Sequence, residues 1–267
     1  MERKEIISSR LKLLGLFIFL IGLWVLNLIL PIRVDSYPLG ANAYVLRLNS
    51  IFYVMVTIFS IYIIIAKKSH IKLNYIVVGT ILGTLAGLTI TSTSAFGINY
   101  TTALVTVLSY IASMLMFHNS EVKMILFKKL TFDGLVALII VLVILVGVLC
   151  LNSGVLVVLR AFIKTLQPGI SEEVIFRMFL FALSTFIIGG KFKNYAYSKI
   201  LIYLALIIPF AIYHYGDNIL NKLPAVPMMI IVATILTFSA IKHSLFSAIV
   251  VHILINLVNY SLLLQYR

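Results

Sequence analysis

The feature that most constrains this chain is a series of apolar runs, each at least 17 residues long. At about 1.5 Å per residue in a helix, such a run can cross the roughly 30 Å hydrocarbon core of a bilayer. The sequence is 62% hydrophobic and only 11% charged, which also favours a membrane setting. We therefore predict an all-α fold, a polytopic transmembrane helix bundle of about 8–9 spans. The nine runs are 11–30, 50–66, 75–95, 98–117, 134–151, 170–189, 198–215, 225–241 and 244–264.

The third run is diluted by three glycines, Gly79, Gly83 and Gly87, at four-residue spacing. Residues four apart lie on the same face of a helix, and small residues there let two membrane helices approach closely. We predict a close helix–helix contact along this face.

The basic residues are distributed unevenly between alternate loops. Of the 21 lysines and arginines, fourteen fall on one side and six on the other, with Arg177 inside a span. This asymmetry predicts an integral, multi-pass membrane protein with a cytoplasmic N-terminus. The net charge of +13 then serves to orient the chain and to contact anionic headgroups. His70, His118 and His243 lie in basic loops and are also interpreted as headgroup contacts. Nucleic-acid binding is not indicated.

Five ionisable side chains fall inside apolar runs near the C-terminus: Glu172, Glu173, Arg177, His214 and His252. Each costs about 2.5–3.5 kcal/mol at a bilayer centre, so we expect them to meet inside the bundle. On this basis we divide the chain into an N-terminal transmembrane scaffold of about five spans, 1–164, and a helix bundle that carries these polar groups, 165–267. Pro168 and Gly169 are predicted to break the chain between them, with Ser171 as the N-cap of a new helix.

Each polar group also has a structural interpretation. Glu173 and Arg177 form an i, i+4 pair at a helix start, whereas Glu172 points about 100° away and has no partner on its own helix. His214 lies near a helix end, where Tyr213 and Tyr215 suit an interfacial belt. His252 and Asn256 share one face of the last run, and hydrogen bonds between helices alone could account for them.

Taken together, three motifs on three spans resemble the CPBP family of intramembrane proteases. They are EExxxR (Glu172, Glu173, Arg177), FxxxH (Phe210, His214) and HxxxN (His252, Asn256). The family includes the CAAX prenyl proteases and the Abi proteins of bacteriocin processing and self-immunity. The resemblance covers roughly 165–262, and the first five spans match no family that we can name.

The resemblance implies an endopeptidase that hydrolyses a peptide bond in a membrane-associated peptide or protein, of the CAAX or the bacteriocin or pheromone type. Glu172 is then the base that activates water, and His214 positions that water. His252 and Asn256 stabilise the oxyanion, while Glu173 and Arg177 orient the site. The cofactor stays open: the mechanism is either metal-free or uses one divalent metal such as zinc, held by Glu172, His214 and His252.

Two other classes of protein remain open from the sequence. One is a non-catalytic immunity or regulatory protein that binds a peptide or protein partner through the same bundle. The other is a transporter, since buried carboxylates and histidines also form proton relays. Span positions further predict that His252 lies on the order of 10 Å deeper than Glu172 and His214.

Overall fold

The computed structural model describes residues 2–29, 43–90, 96–126, 155–190, 196–214 and 223–265. These residues form a bundle of helices, which confirms the helical class. The predicted span at 134–151 lies outside the described residues. The helices are α1 (Glu2–Ile29), α2 (Ala43–Ala66), α3 (Leu73–Gly87), α4 (Tyr100–Met116), α5 (Val155–Glu172), α6 (Leu180–Ile187), α7 (Ala196–Tyr213), α8 (Val226–Lys242) and α9 (Leu245–Gln265).

Two short strands correct the expectation of a purely helical chain. β1 (Leu88–Ile90) and β2 (Phe96–Ile98) pair antiparallel, with Thr89 opposite Gly97. The third apolar run therefore ends its helix at Gly87 and does not continue to residue 95. Asn99 explains the reversal: its backbone N–H donates to the Gly87 carbonyl at 2.7 Å, and its side chain caps α4 by accepting from the Thr102 N–H at 3.1 Å.

The predicted glycine contact is confirmed between α3 and α4. A Cβ atom added at Gly83 would lie 2.6 Å from the Ala103 carbonyl oxygen, and one at Gly87 would lie 2.9 Å from the Ala103 Cβ. A Cβ at Gly79 would meet the Tyr110 ring at 3.3 Å. The absence of side chains on this face is what allows the two helices to touch along their backbones.

The predicted break at Pro168 and Gly169 is wrong. α5 runs through both residues and continues into a π-helical segment, Glu173–Phe179, and then into α6. Ser171 is not an N-cap, because its hydroxyl donates to the carbonyl of Gln167 one turn earlier, at 2.6 Å. The predicted domain boundary between residues 164 and 165 falls inside α5. The division into scaffold and catalytic bundle stays a prediction.

Within the described residues, two helical stretches are long and apolar enough to cross a membrane by length and composition: Ile7–Val25 and Tyr100–Asn119. Five further apolar helices are shorter, among them Ile51–Ala66 and Leu245–Asn259. The count of 8–9 spans and the cytoplasmic N-terminus therefore remain predictions.

Several basic loops lie together at one end of the bundle. The Lys67 ammonium reaches the Leu115 carbonyl at the end of α4, at 3.2 Å. The Glu121 N–H donates to the Gly190 carbonyl at 3.0 Å, and the Leu245 N–H donates to that of Ile125 at 3.0 Å. The chain segments around residues 67, 121, 190 and 245 therefore share one end, as the charge pattern implied for their lysines.

Candidate active site

The π-helical segment Glu173–Phe179 positions the first group of polar side chains. Its backbone follows Pro168, which has no N–H to continue the regular α-helical ladder. At its far end the Leu180 N–H reaches back to the Ile175 carbonyl, a spacing of five residues. Such wider turns occur frequently at functional sites because they change the direction of neighbouring side chains. All seven residues of the segment are buried.

Glu173 lies at the centre of a buried ionic cluster. Its Oε1 accepts a hydrogen bond from Nδ1 of His252 at 2.8 Å, and its Oε2 lies 3.3 Å from Nε of Arg177. The side chains of Glu173 and Arg177 are fully inaccessible, and that of His252 is 3% exposed. The predicted i, i+4 pair is confirmed, but the prediction missed the bond to His252. Glu173 therefore anchors α9 to the π-helical segment.

Glu172 faces the two histidines. Its Oε2 lies 3.4 Å from Nε2 of His214 and 3.8 Å from Nε2 of His252, yet it has no hydrogen-bond partner within the described part of the chain. The side chains of Glu172 and His214 are 18% and 28% exposed, so the site is accessible on this side and closed on the side of Glu173.

The hydrogen bonds of the two histidines identify which ring nitrogen faces Glu172 with a lone pair. Nδ1 of His214 lies 3.0 Å from the Phe210 carbonyl, which can only accept, so Nδ1 carries the proton. Nδ1 of His252 carries its proton for the same reason, since it donates to the Glu173 carboxylate. In the neutral rings both Nε2 atoms are acceptors, and both approach Glu172 Oε2. Three acceptors that converge in this way are satisfied by a donor, either a proton on one of them or a water molecule that binds beside them.

Phe210, which supplies the first letter of the FxxxH motif, contacts Arg177 and both histidines of the site. The Arg177 guanidinium carbon lies 3.7 Å from the centre of its ring. The ring centre is also 4.3 Å from that of His214 and 5.9 Å from that of His252. Phe210 is fully buried. It therefore shields the arginine from water and fixes both imidazoles at once.

The prediction that Tyr213 forms part of an interfacial belt is wrong. It is 4% exposed, and its ring lies 4.7 Å from that of Phe52 in α2 and 5.8 Å from that of Phe176. Phe52 in turn stacks on Phe176 at 5.0 Å with an interplanar angle of 14°. Tyr215 lies outside the described residues. An aromatic cluster thus connects α2 to the two segments that carry Glu172 and His214.

Tyr53, also in α2, was missed by the sequence analysis. Its phenol is within reach of Ser171 and within electrostatic reach of Glu172. The sequence held no signal for this role, since Tyr53 lies about 120 residues from Glu172 in an ordinary apolar run.

Asn256 lies one turn after His252 on α9 and is partly buried. Within the described residues the structure shows no hydrogen bond from its side chain, so its amide N–H groups are available to a ligand. Its place next to His252 agrees with the predicted face, but its proposed role is not tested by these contacts.

The predicted difference in depth does not keep the residues apart, because the helices approach one another closely at the site. A Cβ atom at Gly169 would collide with the side chain of Ile253, the neighbour of His252, and would lie 3.4 Å from the Ile253 backbone nitrogen. Gly169 therefore allows α5 to touch α9 where the carboxylates meet the histidine. The structure thus brings Glu172, Glu173, Arg177, His214 and His252 into one cluster.

A metal could in principle be held by Glu172, His214 and His252, whose donor atoms are of the types that zinc prefers. Among the described residues, however, no group of three or more histidine, cysteine, aspartate or glutamate side chains is arranged to hold a metal ion. The choice between a metal-free and a metal-assisted mechanism therefore stays open, and the reaction proposed below takes no step through a metal.

Comparison with known proteins gives one match. Residues 135–258 match the model of the family described as Rce1-like, type II CAAX prenyl endopeptidase. This range includes all six candidate site residues and excludes α1 to α4. No curated protein and no solved structure matches the chain.

Proposed function

We propose that this chain is a member of the Rce1-like family, whose model matches residues 135–258, and that it hydrolyses a peptide bond of a membrane-associated substrate with water activated by Glu172. The family is one of helical membrane proteases. The observation that carries the proposal is the convergence of Nε2 of His214 and Nε2 of His252 on Oε2 of Glu172, at 3.4 and 3.8 Å.

In the proposed reaction, a water molecule lies between Glu172 and His214. It donates one hydrogen bond to Glu172 Oε2 and the other to His214 Nε2, which satisfies both acceptors. As the water attacks the scissile carbonyl carbon, Glu172 takes its proton, and the C–O bond forms. The partial exposure of these two side chains lets a substrate reach them, while burial of Glu173 and Arg177 keeps water from the cluster that holds His252.

The tetrahedral intermediate carries a negative oxygen, which needs preorganised N–H donors. Asn256 supports this role because its side chain has no other partner within the described residues. The proton held by Glu172 then passes to the leaving amine, the C–N bond breaks, and the carboxylate is regenerated. His252 stays oriented throughout because Glu173 holds its Nδ1–H at 2.8 Å.

The substrate class is part of the proposal. The family description favours a prenylated CAAX tail, and a bacteriocin or pheromone leader is the other class that we proposed from sequence. A comparison of cleavage of both peptide types by the purified chain in proteoliposomes would decide between them.

The test of the proposal is Glu172→Gln, which keeps the shape of the side chain but removes the base. We expect peptide products to fall by at least about a hundredfold, the usual contribution of a general base. Glu121→Gln is the matched control, because Glu121 is exposed in a loop far along the chain from the motif residues. Cleavage by Glu172→Gln at the wild-type rate would refute the reaction. A cellular phenotype that survives without cleavage would favour a binding protein.

Activity measured after chelation, beside the same two variants, tests whether a metal takes part.

A further inference from the structure

Two histidines from separate loops stack on each other at the basic end of the bundle. The rings of His70 and His118 have centres 4.5 Å apart and an interplanar angle of 28°. His70 ends the 3₁₀ turn Lys68–His70 that follows α2, and His118 lies in the 3₁₀ turn Phe117–Asn119 that follows α4. The two turns are about 48 residues apart in sequence, so only the fold brings these rings together.

Lys67 holds the two turns in place. Its ammonium donates to the carbonyl of Leu115 in the last turn of α4 at 3.2 Å and lies 4.7 Å from the centre of the Phe186 ring. Carbonyls in a last helical turn have few partners within the helix, so this bond helps to satisfy the end of α4. The contacts of Lys67 therefore join the ends of α2 and α4 and hold the two stacked histidines next to each other.

Positive charge surrounds the pair. Lys67, Lys72 and Lys123 are within electrostatic reach of His118, as is the ring of His70. Glu121 is the one carboxylate among described residues 66–72 and 115–126. We call Lys67, His70, Lys72, His118 and Lys123 the histidine–lysine cluster. Like charges held this close repel one another unless an anion lies between them.

We propose that the histidine–lysine cluster binds the phosphate of an anionic phospholipid headgroup. Lysine ammonium groups form short, charge-assisted hydrogen bonds with phosphate oxygens, and an imidazole N–H group also donates to such oxygens. The lysines neutralise the charge of the phosphate. Bound phosphate replaces the mutual repulsion of these groups by attraction.

The surroundings of the cluster favour a lipid over free phosphate. The apolar stretch Tyr100–Asn119 ends at the turn that carries His118. On α2, Tyr62 and Ile65 are 65% and 66% exposed within two turns before Lys67. A phospholipid can place its phosphate at the cluster and cover the adjacent exposed apolar surface with its acyl chains.

The experiment uses the full chain in detergent, with native mass spectrometry of the complexes formed with phosphatidylglycerol or phosphatidylcholine. The double variant His70→Gln/His118→Gln should bind phosphatidylglycerol about tenfold more weakly than the wild type, because it loses the two imidazole hydrogen bonds to the phosphate. Binding of phosphatidylcholine should not change. His243→Gln is the matched control, an exposed loop histidine at the same end, and it should behave as the wild type.

A second variant, Lys123→Gln, keeps the proposal testable if the double variant does not fold. Lys123 is exposed, and its replacement should weaken phosphatidylglycerol binding severalfold without changing the melting temperature. Equal binding of phosphatidylglycerol by the wild type and by a folded variant of either kind would overturn the proposal. Complete displacement of the lipid by millimolar inorganic phosphate would also overturn it, by assigning the cluster to the free anion.

Discussion

The Nδ1 atom of His252 lies 2.8 Å from Oε1 of Glu173, a residue 79 positions earlier in the chain. This bond joins α9 to the π-helical segment and turns the other nitrogen of His252 towards Glu172. Glu173 is therefore more than the ion-pair partner of Arg177 that its spacing predicted. The two adjacent glutamates have different tasks: Glu173 holds the framework, and Glu172 is left without a hydrogen bond in the site.

Glu173→Gln should therefore destabilise the protein and abolish activity together. Removal of the carboxylate charge leaves the buried Arg177 without its counter-ion, a change that costs on the order of 3–5 kcal/mol. Thermal unfolding in detergent, monitored by circular dichroism, measures this effect. Glu172→Gln is the matched control, because Glu172 is partly exposed and should lose activity with little change in melting temperature. Equal melting temperatures for the two variants would contradict the separate roles.

Phe210→Leu and Arg177→Lys should have effects that are not additive. The planar guanidinium lies 3.7 Å from the centre of the Phe210 ring, and a desolvated contact of this kind contributes about 2 kcal/mol. Lysine cannot reproduce a planar stack, and leucine removes the ring. In a double-mutant cycle on unfolding free energy, we expect a coupling of about 1–2 kcal/mol. Additive effects would show that the stack does not stabilise the site.

Tyr53→Phe should lower kcat/KM severalfold, up to about tenfold, without unfolding the protein. The variant keeps the ring but loses the hydroxyl that lies within reach of Ser171 and Glu172, and one hydrogen bond of such a group contributes about 0.5–1.5 kcal/mol. Tyr62→Phe is a matched control on the same helix, because Tyr62 is 65% exposed. Ser171→Ala should reproduce the loss and add nothing to it in the double variant. A Tyr53→Phe enzyme with wild-type kinetics would exclude α2 from the site.

Gly83→Ala should destabilise the bundle although it adds a single methyl group. The new Cβ would lie 2.6 Å from the Ala103 carbonyl oxygen, so α3 and α4 must separate, at a cost of about 1–3 kcal/mol. Gly22→Ala in α1 meets nothing within 4 Å and should be neutral or slightly stabilising, since alanine favours helix over glycine. The comparison of the two melting temperatures measures the contact. A neutral Gly83→Ala would mean that the helices are not in backbone contact there.

Much of the site was predictable from the residues because charged and polar groups inside apolar runs need partners. Glu172, Glu173, Arg177, His214 and His252 were all identified, and the Glu173–Arg177 pair follows from helical spacing alone. The glycines at four-residue spacing likewise predicted the close contact that α3 makes with α4. In each case one helix face contains the whole pattern, so local geometry is sufficient.

Errors arose where local signals were overruled by packing. Pro168 and Gly169 form a strong breaker pair, yet α5 continues through them, and Gly169 there allows the close approach to Ile253. Tyr213 beside a helix end suits an interface, but Phe52 and Phe176 bury it. Asn99 ends the third apolar run by drawing the chain back to Gly87, which a count of hydrophobic residues cannot show.

The sequence alone determined that this chain forms apolar helices and that a few costly ionisable groups must meet among them. Its three motifs, by resemblance, also identified the protease family. Only the tertiary structure decided which glutamate holds His252 and which faces both imidazoles, because those distances depend on how α5, α7 and α9 cross. It also decided that α2 reaches the site through Phe52 and Tyr53. Side chains more than a hundred residues apart leave no shared pattern along the chain, and their contact is set by packing in three dimensions.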